Sequence, residues 1–511
     1  MKKNLVLLLL SASLGILAYL LWSYYDSPRH EGRVVLDNGA ELAWTPCWFK
    51  RPEKTIVRCA HFFPPDTVKH DPQTRIRIPV VYFQVGKQPD PYPVLYVAGG
   101  PGYATGLRKR HIPGWAQWVK QSGWKHDVVF FDHRGTGLSQ PSIACPGLAE
   151  FSIDNLGAKI APEQELKDWF DFSKKCYQHL RNKKIDLSRY TTTATANDVE
   201  NLTRLIKARK WNLYGVSYGT RVVLELMKRN PKNINSVVLD SVYPTEINEL
   251  LVVPELMAFT FRTLFENCKY KYFCSKKMPA LQQDLTRLIQ RLDDKPHTFQ
   301  VKPSAGEASI PVVINGYRLA WMLYMAMYHW DIIEDMPDTI GKALRVGPQK
   351  LKPIVVKYTR WTLDKTFSPA AYYSVECHDR EVPVSEQMYA DEVEKYPYVK
   401  PYVALQWKYD VCRFWDSGRA PKAFFAATHS TIPTLILNGE LDPVTPWYWA
   451  DKVAKTLPNS FFFKIPGVGH GAVDSDECAA KLAAKFLHDP AVRPALDCEK
   501  RWGRPDFKFS D

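Results

Sequence analysis

Signatures of nucleotide and zinc binding are missing from this chain of 511 residues. The glycine-rich stretch Gly99–Gly102 is not followed by Gly-Lys-Ser or Gly-Lys-Thr and lacks G-x-G-x-x-G spacing, so a phosphate-binding loop is not predicted. No two cysteines have Cys-x-x-Cys spacing and no histidine cluster accompanies them, which argues against structural zinc. Internal repeats and low-complexity segments are also absent. We therefore expect a globular protein without a metal ion or an organic cofactor.

The sequence also lacks a block of like charges. Its 68 Lys and Arg residues outnumber 54 Asp and Glu residues and give a formal net charge of +14, but the cations are scattered along the chain. Scattered cations do not make the basic stripe that is typical of nucleic-acid binding. A basic exterior that faces anionic lipid headgroups explains the charge equally well. We expect no nucleic-acid partner.

The composition is otherwise that of a large globular protein, with 45% hydrophobic and 24% charged residues. Sixteen Trp and 26 Tyr residues suit a large core and an aromatic-lined cleft. The length allows two or three domains, or one α/β core with a large insertion.

The N-terminus has the pattern of an export signal. Lys2 and Lys3 precede the apolar stretch Leu5–Trp22, whose length lies between that of a signal-peptide core and that of a membrane span. Bulky aromatic residues at its end resemble an interfacial belt and leave no convincing small-x-small cleavage site. We expect residues 1–25 to be an uncleaved signal-anchor that holds the body at the periplasmic or extracellular face of the membrane. A cleaved signal peptide and a secreted protein are the alternative.

The cysteines agree with export. All ten fall into couples that are close in sequence: Cys47/Cys59, Cys145/Cys176, Cys268/Cys274, Cys377/Cys412 and Cys478/Cys498. An even number of cysteines behind an export signal predicts a set of disulfides, although the sequence leaves their connectivity open. Buried free thiols are the alternative.

Strand and helix patterns alternate over the first half of the chain. Runs that are typical of buried strands recur, and each ends in a polar or glycine-rich turn; the runs are Arg75–Val85, Pro93–Ala98, Asp127–Phe131, Trp211–Tyr214 and Ile234–Asp240. Alternating β and α segments predict a mostly parallel sheet that is flanked by helices. We assign residues 33–244 to the first part of this α/β core.

The pattern becomes mainly helical after Pro244. Residues 245–429 read as helices rich in Met, Trp and Tyr, with one short hairpin across Phe299–Ile314. A helical block that interrupts an α/β series is typical of an inserted cap over an active site. The strand pattern resumes at Thr431–Asn438 and Ser460–Ile465, so residues 430–511 form the C-terminal part of the core.

The segment Gly215-Val216-Ser217-Tyr218-Gly219 fits G-x-S-x-G and lies between a strand pattern and a helix pattern. This context is the one that a nucleophile elbow requires. A serine at such a turn has a strained backbone, and the flanking glycines allow neighbouring chain to approach closely. The alternative is an ordinary glycine-rich turn. The sequence therefore predicts Ser217 as a catalytic nucleophile.

Two charged residues follow the strand pattern Asp127–Phe131, and we expect them to stabilise the turn. We expect Asp132 and Arg134 to form an ion pair that fixes their turn, rather than to act in catalysis. In the helix that follows, Thr195 and Asp198 resemble an N-terminal capping pair.

A serine nucleophile needs a histidine base and a carboxylate that orients it. In α/β-hydrolases these follow in the order Ser, Asp or Glu, His. Of thirteen histidines, His470 is the one in a glycine-flanked loop after the last strand pattern. Glu440 and Asp442 compete for the role of the acid, and Asp442 is favoured because it sits further into its turn.

Backbone N–H groups are expected to stabilise the oxyanion. One donor is the N–H of Tyr218, directly after the nucleophile, and the other comes from the Gly99–Gly102 loop. Pro101 has no N–H to give. Gly100 is preferred over Gly99.

Five motifs occur together and in order: Gly99-Gly100-Pro101-Gly102, Asp132–Ser139, Gly215–Thr220, Asp442-Pro443-Val444-Thr445-Pro446 and Gly467-Val468-Gly469-His470-Gly471. From about residue 47 to 498, the chain resembles the proline iminopeptidase and tripeptidyl aminopeptidase family of α/β-hydrolases, and more closely the secreted tripeptidyl aminopeptidase branch. This resemblance implies Ser217, Asp442 and His470 as the catalytic triad. Ala98 stands where cytoplasmic proline iminopeptidases usually have His, which weakens a strict proline iminopeptidase assignment.

We expect an exported or membrane-anchored serine exopeptidase that removes residues or short peptides from the free amino end of peptides through an acyl-enzyme. A free amine is cationic, so its binding needs a carboxylate in the cap. Glu376 and Asp379 are the candidates, because Cys377 would hold them in place if it were bridged to Cys412; a surface acid cluster is the alternative. A carboxylesterase or lipase-like hydrolase and a catalytically inactive binding protein are the rival functions.

Overall fold

The computed structural model describes residues 32–65, 75–304 and 306–509. The predicted N-terminal anchor lies outside these residues. Within them, no helix has both the length and the apolar character that a membrane crossing requires.

Ten strands of the described chain form one sheet. They are β1 (Arg33–Val35), β2 (Glu41–Thr45), β3 (Ile56–Phe63), β4 (Ile78–Gln84), β5 (Val94–Val97), β6 (Val128–Phe131), β7 (Trp211–Val216), β8 (Ile234–Asp240), β11 (Thr434–Gly439) and β12 (Ser460–Ile465). Two further strands, β9 (His297–Val301) and β10 (Ile310–Ile314), form the predicted hairpin.

The strand order is β1-β2-β3-β4-β6-β5-β7-β8-β11-β12. Strands β1 to β4 are antiparallel to their neighbours, and β4 also pairs antiparallel with β6. From β6 to β12 every neighbouring pair is parallel. The carboxyl ends of these six strands therefore lie at the same edge of the sheet, and this edge carries the turns that follow β5, β7, β8, β11 and β12.

The central strands have apolar side chains on both faces because both faces are covered. In β5, Leu95 and Val97 belong to one hydrophobic core while Val94 and Tyr96 belong to another, and all four are buried. This alternation follows from the two-residue repeat of a strand. A strand that is buried on both sides reads as a continuous hydrophobic run, which is why the sequence pattern located these strands correctly.

The helices outside the cap flank this sheet. They are α1 (Ile112–Gln121), α2 (Leu148–Gly157), α3 (Pro162–Asn182), α4 (Thr192–Leu205), α5 (Tyr218–Met227), α16 (Trp447–Ala454), α17 (Ala472–Ser475) and α18 (Glu477–His488). Together with the sheet they make the α/β-hydrolase core that the sequence predicted.

Between β8 and β11 the chain forms the helical cap. Its helices are α6 (Glu249–Tyr270), α7 (Tyr272–Lys277), α8 (Leu281–Asp294), α9 (Gly316–Ala326), α10 (Trp330–Ile333), α11 (Met336–Arg345), α12 (Lys352–Thr362), α13 (Pro369–His378), α14 (Glu386–Glu394) and α15 (Lys400–Val403). Met257 and Phe261 of α6 share one hydrophobic core with Val237 and Leu239 of β8. Cap and sheet are thus joined by continuous apolar packing.

All ten cysteines are disulfide-bonded, in the five couples that are close in sequence: Cys47–Cys59, Cys145–Cys176, Cys268–Cys274, Cys377–Cys412 and Cys478–Cys498. The predicted disulfides are confirmed. A set of this size is typical of proteins that fold in an oxidising compartment, which indicates export.

One prediction about the turn after β6 and one about the start of α4 are wrong. Arg134 does not pair with Asp132; its Nη2 and Nε lie 2.6 and 2.8 Å from the carboxylate oxygens of Asp198. Asp132 instead accepts the backbone N–H of Leu138 at 2.8 Å, inside its own turn. Helix α4 is capped by Thr191, which leaves Asp198 within the helix and free to bind Arg134. The guanidinium of Arg134 is on a long side chain and reaches the neighbouring helix α4, whereas the shorter side chain of Asp132 bonds within its own turn.

Candidate active site

Ser217 occupies the turn between β7 and α5 with φ 57° and ψ −124°. This left-handed backbone is costly for a residue with a side chain, and it presents the hydroxyl at the edge of the sheet. The flanking glycines are sterically required: a Cβ at Gly219 would lie 2.0 Å from the carbonyl oxygen of Val97, and one at Gly215 would lie 2.8 Å from the carbonyl oxygen of Gly219. The local geometry is that of a nucleophile elbow.

His470 and Asp442 meet at the same edge of the sheet. Nδ1 of His470 lies 2.8 Å from Oδ2 of Asp442, whose side chain is completely buried. The other carboxylate oxygen accepts the N–H groups of Thr445 and Val444 at 2.9 and 3.1 Å, and the Thr445 hydroxyl donates to Oδ2 at 2.7 Å. These bonds hold the carboxylate toward the imidazole, so Nδ1 is engaged and Nε2 is left for proton transfer.

Glu440, the rival acid, points elsewhere. Its carboxylate lies 3.6 Å from Nζ of Lys464 on β12, and its N–H donates to the carbonyl of Ile465. The structure thus pairs Asp442, and not Glu440, with the imidazole of His470.

The glycine-rich loop after β5 lies directly beside the nucleophile. A Cβ at Gly99 would be 3.0 Å from the Cβ of Ser217 and 3.6 Å from its Oγ. Gly100 has φ 130°, a conformation that favours glycine. Tyr218 is the first residue of α5, where N–H groups have no partner within the helix and favour negative charge. The N–H of Ser217 itself donates to Asp240, so it is not available to an oxyanion.

The loop with His470 is fastened to the end of β8. The N–H groups of Ala472 and Val473 donate to the two carboxylate oxygens of Asp240 at 2.7 and 3.0 Å. The N–H of Gly471 donates to the hydroxyl of Ser241 at 2.9 Å. Burial raises the pKa of Asp240 to about 6. The sequence predicted strand β8 but gave no signal for the role of Asp240 at its end.

Tyr328 of the cap lies beside both the nucleophile and the base. Its hydroxyl is near the side chain of Ser217. Its ring centroid lies 4.3 Å from that of His470, and its carbonyl oxygen accepts the N–H of His470 at 3.2 Å. The sequence did not predict a role for Tyr328, because no motif distinguishes it from the other cap tyrosines.

A largely buried cluster of charges lies where the cap meets α5. Among the described residues it contains four carboxylates, two guanidinium groups and one imidazole: Glu249, Glu376, Asp379, Asp410, Arg221, Arg380 and His378. The carboxylates outnumber the guanidinium groups by two. We call this set the cap acid cluster.

The two predicted acids differ in how far their carboxylates are already engaged. Asp379 is fully buried and accepts the hydroxyl of Thr192 at 2.5 Å and Nδ1 of His378 at 2.9 Å. Glu376 accepts the hydroxyl of Tyr243 at 3.1 Å. Both lie 3.6–3.7 Å from Nη1 of Arg221. Asp379 therefore has no open face for a ligand.

Glu249, at the start of α6, was not among the predicted residues. Its carboxylate accepts the hydroxyl of Tyr372 at 2.9 Å and lies 4.0 Å from Arg380, and its side chain is 34% exposed. Burial raises the pKa of Glu249, and burial together with the neighbouring charges of Glu249 and Asp379 raises the pKa of Glu376 to about 7. An isolated acid at a helix start has no sequence signature that would have identified it.

The cap acid cluster adjoins both loops of the candidate triad. Tyr372, which holds Glu249, lies so close to Gly102 that a Cβ there would be 3.1 Å from that of Tyr372. Tyr324 donates its hydroxyl to the carbonyl of Pro443, next to Asp442, and the charges of Glu249 and Asp442 both act on it. The cluster thus lies on the cap side of the edge that carries Ser217.

Family models match two parts of the chain. The α/β-hydrolase fold model matches residues 92–269, and the model of the TAP-like protein family matches residues 396–498. The first range includes the glycine-rich loop and the elbow, and the second includes the candidate acid and base.

Curated relatives align over longer ranges. A tripeptidyl aminopeptidase of Streptomyces lividans is 30% identical over 433 residues, which cover 81% of this chain and 75% of the relative. The serine protease Hip1 of Mycobacterium tuberculosis is 21% identical over 495 residues, which cover 89% of this chain and 90% of the relative. A probable proline iminopeptidase of Leptolyngbya boryana is 22% identical over 171 residues, covering 34% of this chain and 38% of the relative. The chain therefore belongs to the proline iminopeptidase and tripeptidyl aminopeptidase family of α/β-hydrolases, and it is a serine hydrolase of the peptidase type.

Proposed function

We propose that this peptidase is an exopeptidase that cleaves residues or short peptides from the free amino end of its substrates. The observation that supports this most directly is the excess of carboxylates over guanidinium groups in the largely buried cap acid cluster beside the candidate triad. Buried negative charge without enough cations is costly and favours the binding of a cationic group. The protonated amino terminus of a peptide is such a group.

The triad that we assign is Ser217, His470 and Asp442. Ser217 Oγ attacks the carbonyl carbon of the scissile peptide bond while Nε2 of His470 takes its proton. Asp442 keeps Nδ1 of His470 engaged and stabilises the imidazolium that forms. His470 then gives the proton to the leaving amine, and water hydrolyses the acyl-enzyme by the same route. The N–H groups of Gly100 and Tyr218 are the oxyanion donors in this assignment.

We assign the amine site to Glu249 and Glu376. Glu249 is the more exposed of the two and is held by Tyr372, which borders the glycine-rich loop. Glu376 lies behind it and is oriented by Tyr243. Asp379, one of the two acids that the sequence suggested, acts in this proposal as a buried support that holds Arg221 and Thr192 in place. If the amino end of the substrate is bound by the cap acid cluster, only a peptide bond close to that end can reach Ser217. Cleavage is therefore expected near the amino terminus.

The test compares free and blocked peptides. Glu249→Gln should raise KM for amino-acyl and tripeptidyl amides with a free amino end by about 10- to 100-fold, as expected for the loss of a charged hydrogen-bond partner. Hydrolysis of small neutral esters should change little. Glu255→Gln is the matched control, because Glu255 lies on the same helix and binds Tyr448 at 2.7 Å.

Two results would contradict the proposal. If wild-type enzyme cleaved blocked and free peptides equally well, the chain would be an esterase-like hydrolase with the same triad. If Glu249→Gln impaired esters and free peptides equally, Glu249 would have a structural role only.

We also propose that residues 1–25 anchor the enzyme at the outer face of the membrane. The support for export is the set of five disulfides, together with the apolar stretch near the N-terminus. Fractionation of cells that express the full chain tests this placement: membrane-bound activity that protease can reach from outside is expected, and activity confined to the cytoplasm would contradict it.

A further inference from the structure

Three aromatic side chains project from the corner between α6 and α7. Tyr270, Tyr272 and Phe273 are 68%, 69% and 70% exposed, and the rings of Tyr272 and Phe273 contact each other at a centroid distance of 5.7 Å. The disulfide between Cys268 and Cys274, both buried, fixes the corner. Elsewhere in the described chain, no large hydrophobic side chain is more than 60% exposed. A fixed group of exposed aromatics is typical of an interaction surface.

Cations surround these rings. Lys269, Lys276 and Lys277 are exposed within the same segment, and Nζ of Lys276 lies 5.9 Å from the ring of Tyr272. From the C-terminal tail, the guanidinium of Arg504 stacks 4.0 Å from the ring of Tyr270. Lys271 pairs with Asp506 at 2.6 Å, which fastens the tail to the corner. We call residues 269–277 with Arg504 the aromatic corner.

We propose that the aromatic corner docks onto an anionic lipid surface. Aromatic rings with a polar edge favour the level of the lipid headgroups, and lysine and arginine side chains beside them bind the negative charge of those headgroups. The net charge of +14 adds long-range attraction to the same surface. A protein partner with an acidic groove would use similar chemistry, but three highly exposed aromatics interleaved with lysines suit a fluid lipid surface better than a groove.

Hydroxyl-radical footprinting of the full chain tests this proposal, because it reads the exposure of each aromatic side chain. In nanodiscs that contain phosphatidylglycerol, the oxidation rates of Tyr270, Tyr272 and Phe273 should fall several-fold compared with nanodiscs of phosphatidylcholine alone. Trp361, which is 41% exposed on another part of the cap, is the internal control and should keep its rate. Lys276→Gln/Lys277→Gln should remove the difference between the two lipids.

Equal oxidation rates in both lipids would overturn the proposal. Protection that depends on protein concentration in the absence of lipid would also overturn it, since it would assign the corner to a second copy of the chain or to another protein.

A different observation carries a second inference, which rests on the proposed triad. The ring of Tyr328 lies against that of His470, its carbonyl oxygen accepts the N–H of His470 at 3.2 Å, and its hydroxyl is near the side chain of Ser217. Burial raises the pKa of Tyr328, so the phenol keeps its proton over the working range of the enzyme. The close approach of cap and loop requires glycine at position 469, where a Cβ would lie 2.3 Å from the carbonyl oxygen of Met327.

We infer that Tyr328 is a positioning residue for the base and the nucleophile, supplied by the cap. Its ring and carbonyl limit the movement of His470, and its hydroxyl is placed to orient Ser217 Oγ. During acylation the proton of Ser217 passes to His470 and then to the leaving amine, and Tyr328 keeps its own proton throughout. The nucleophile is therefore fully positioned only when the cap is seated on the core.

Tyr328→Phe keeps the ring and removes the hydroxyl. We expect kcat and the rate of fluorophosphonate labelling to fall together, with KM and thermal stability close to wild type. Tyr317→Phe is the matched control, since its buried hydroxyl binds Gln406 on the cap. Wild-type labelling and kcat in Tyr328→Phe would overturn the inference, and so would a loss of activity that follows a loss of stability not shared by the control. Labelling that persists in Ser217→Ala would instead overturn the triad itself.

Discussion

The carboxylate of Asp240, at the end of β8, accepts the backbone N–H of Ala472 at 2.7 Å, two residues after His470. The carbonyl of the same aspartate accepts the N–H of Ser217 at 2.8 Å. One residue thus connects the turn of the nucleophile with the loop of the base. Asp240 therefore fixes the relative position of these two segments from within the core, in addition to the contacts that the His470 loop makes with the cap.

Asp240→Asn should lower kcat with little change in KM. The amide nitrogen of the new side chain would face an N–H of the His470 loop, and a displacement of the base by about 1 Å costs up to about 100-fold in rate. Steady-state kinetics on a free-amine peptide measures the split between kcat and KM.

Asp127→Asn is the control for this substitution. Asp127 is also buried and accepts a tyrosine hydroxyl and two backbone N–H groups, as Asp240 does, but it lies at the start of β6. Both variants should lose stability. A loss of kcat that is equal in the two variants would show that Asp240 has no specific positioning role.

Ser217→Ala should keep the fold and abolish covalent labelling by a fluorophosphonate, since the alanine has no oxygen to react. His470→Ala should reduce turnover by almost as many orders of magnitude, because the members of a triad act as a unit. Active-site labelling followed by mass spectrometry checks both variants. Labelling of the alanine variant at another serine would move the nucleophile away from the elbow.

The affinity for free-amine peptides should rise with pH through about 7. Glu376 has a pKa near 7 in the folded protein, so below that pH its carboxylate is protonated and cannot bind a cationic amine. The same raised pKa means that the folded chain binds more protons than the unfolded chain between about pH 4.5 and 7, so stability falls as pH rises through this window.

Glu376→Gln should therefore weaken the pH dependence of KM, and its free energy of unfolding at pH 8 should exceed that of wild type by about 1–3 kcal/mol. Its stability at pH 4.5 should be close to that of wild type. Chemical denaturation at the two pH values measures this difference. A wild type that is more stable at pH 8 than the glutamine variant would contradict the assignment of buried, poorly compensated charge to Glu376.

Removal of the Cys377–Cys412 disulfide should affect substrate binding as well as stability. The bridge closes 35 residues of separation and fixes the end of α13 beside Glu376. Cys377→Ser/Cys412→Ser should lose about 2–4 kcal/mol of stability and raise KM for free-amine peptides more than for neutral esters.

The disulfide Cys47–Cys59 joins the segment after β2 to β3 in the antiparallel part of the sheet and provides the control. Its removal should lower stability without a selective change in KM. If both double variants raised KM for free-amine peptides equally, the change would reflect a general loss of stability and not the position of Glu376.

Much of the core could be predicted from the sequence because its signals are local. Strand β8 begins and ends where its pattern predicted, and so does β12, since buried parallel strands are short apolar runs that end in polar turns. The G-x-S-x-G turn is visible in the sequence because its glycines are sterically necessary, as the close contacts of Gly219 show. Once the strands are parallel, their carboxyl ends share one edge, so chain order alone placed Ser217, Asp442 and His470 together as candidates.

Contacts between distant segments were decided only by the tertiary structure. Arg134 pairs with Asp198, and the N–H groups of Ala472 and Val473 that Asp240 accepts lie more than 230 residues away, where no local pattern links them. The positions of Tyr328 beside His470 and of Glu249 beside Tyr372 result from the packing of the cap helices on the core. A helical pattern tells which face is apolar, but which buried polar group meets which partner depends on the packing of elements that are far apart in sequence.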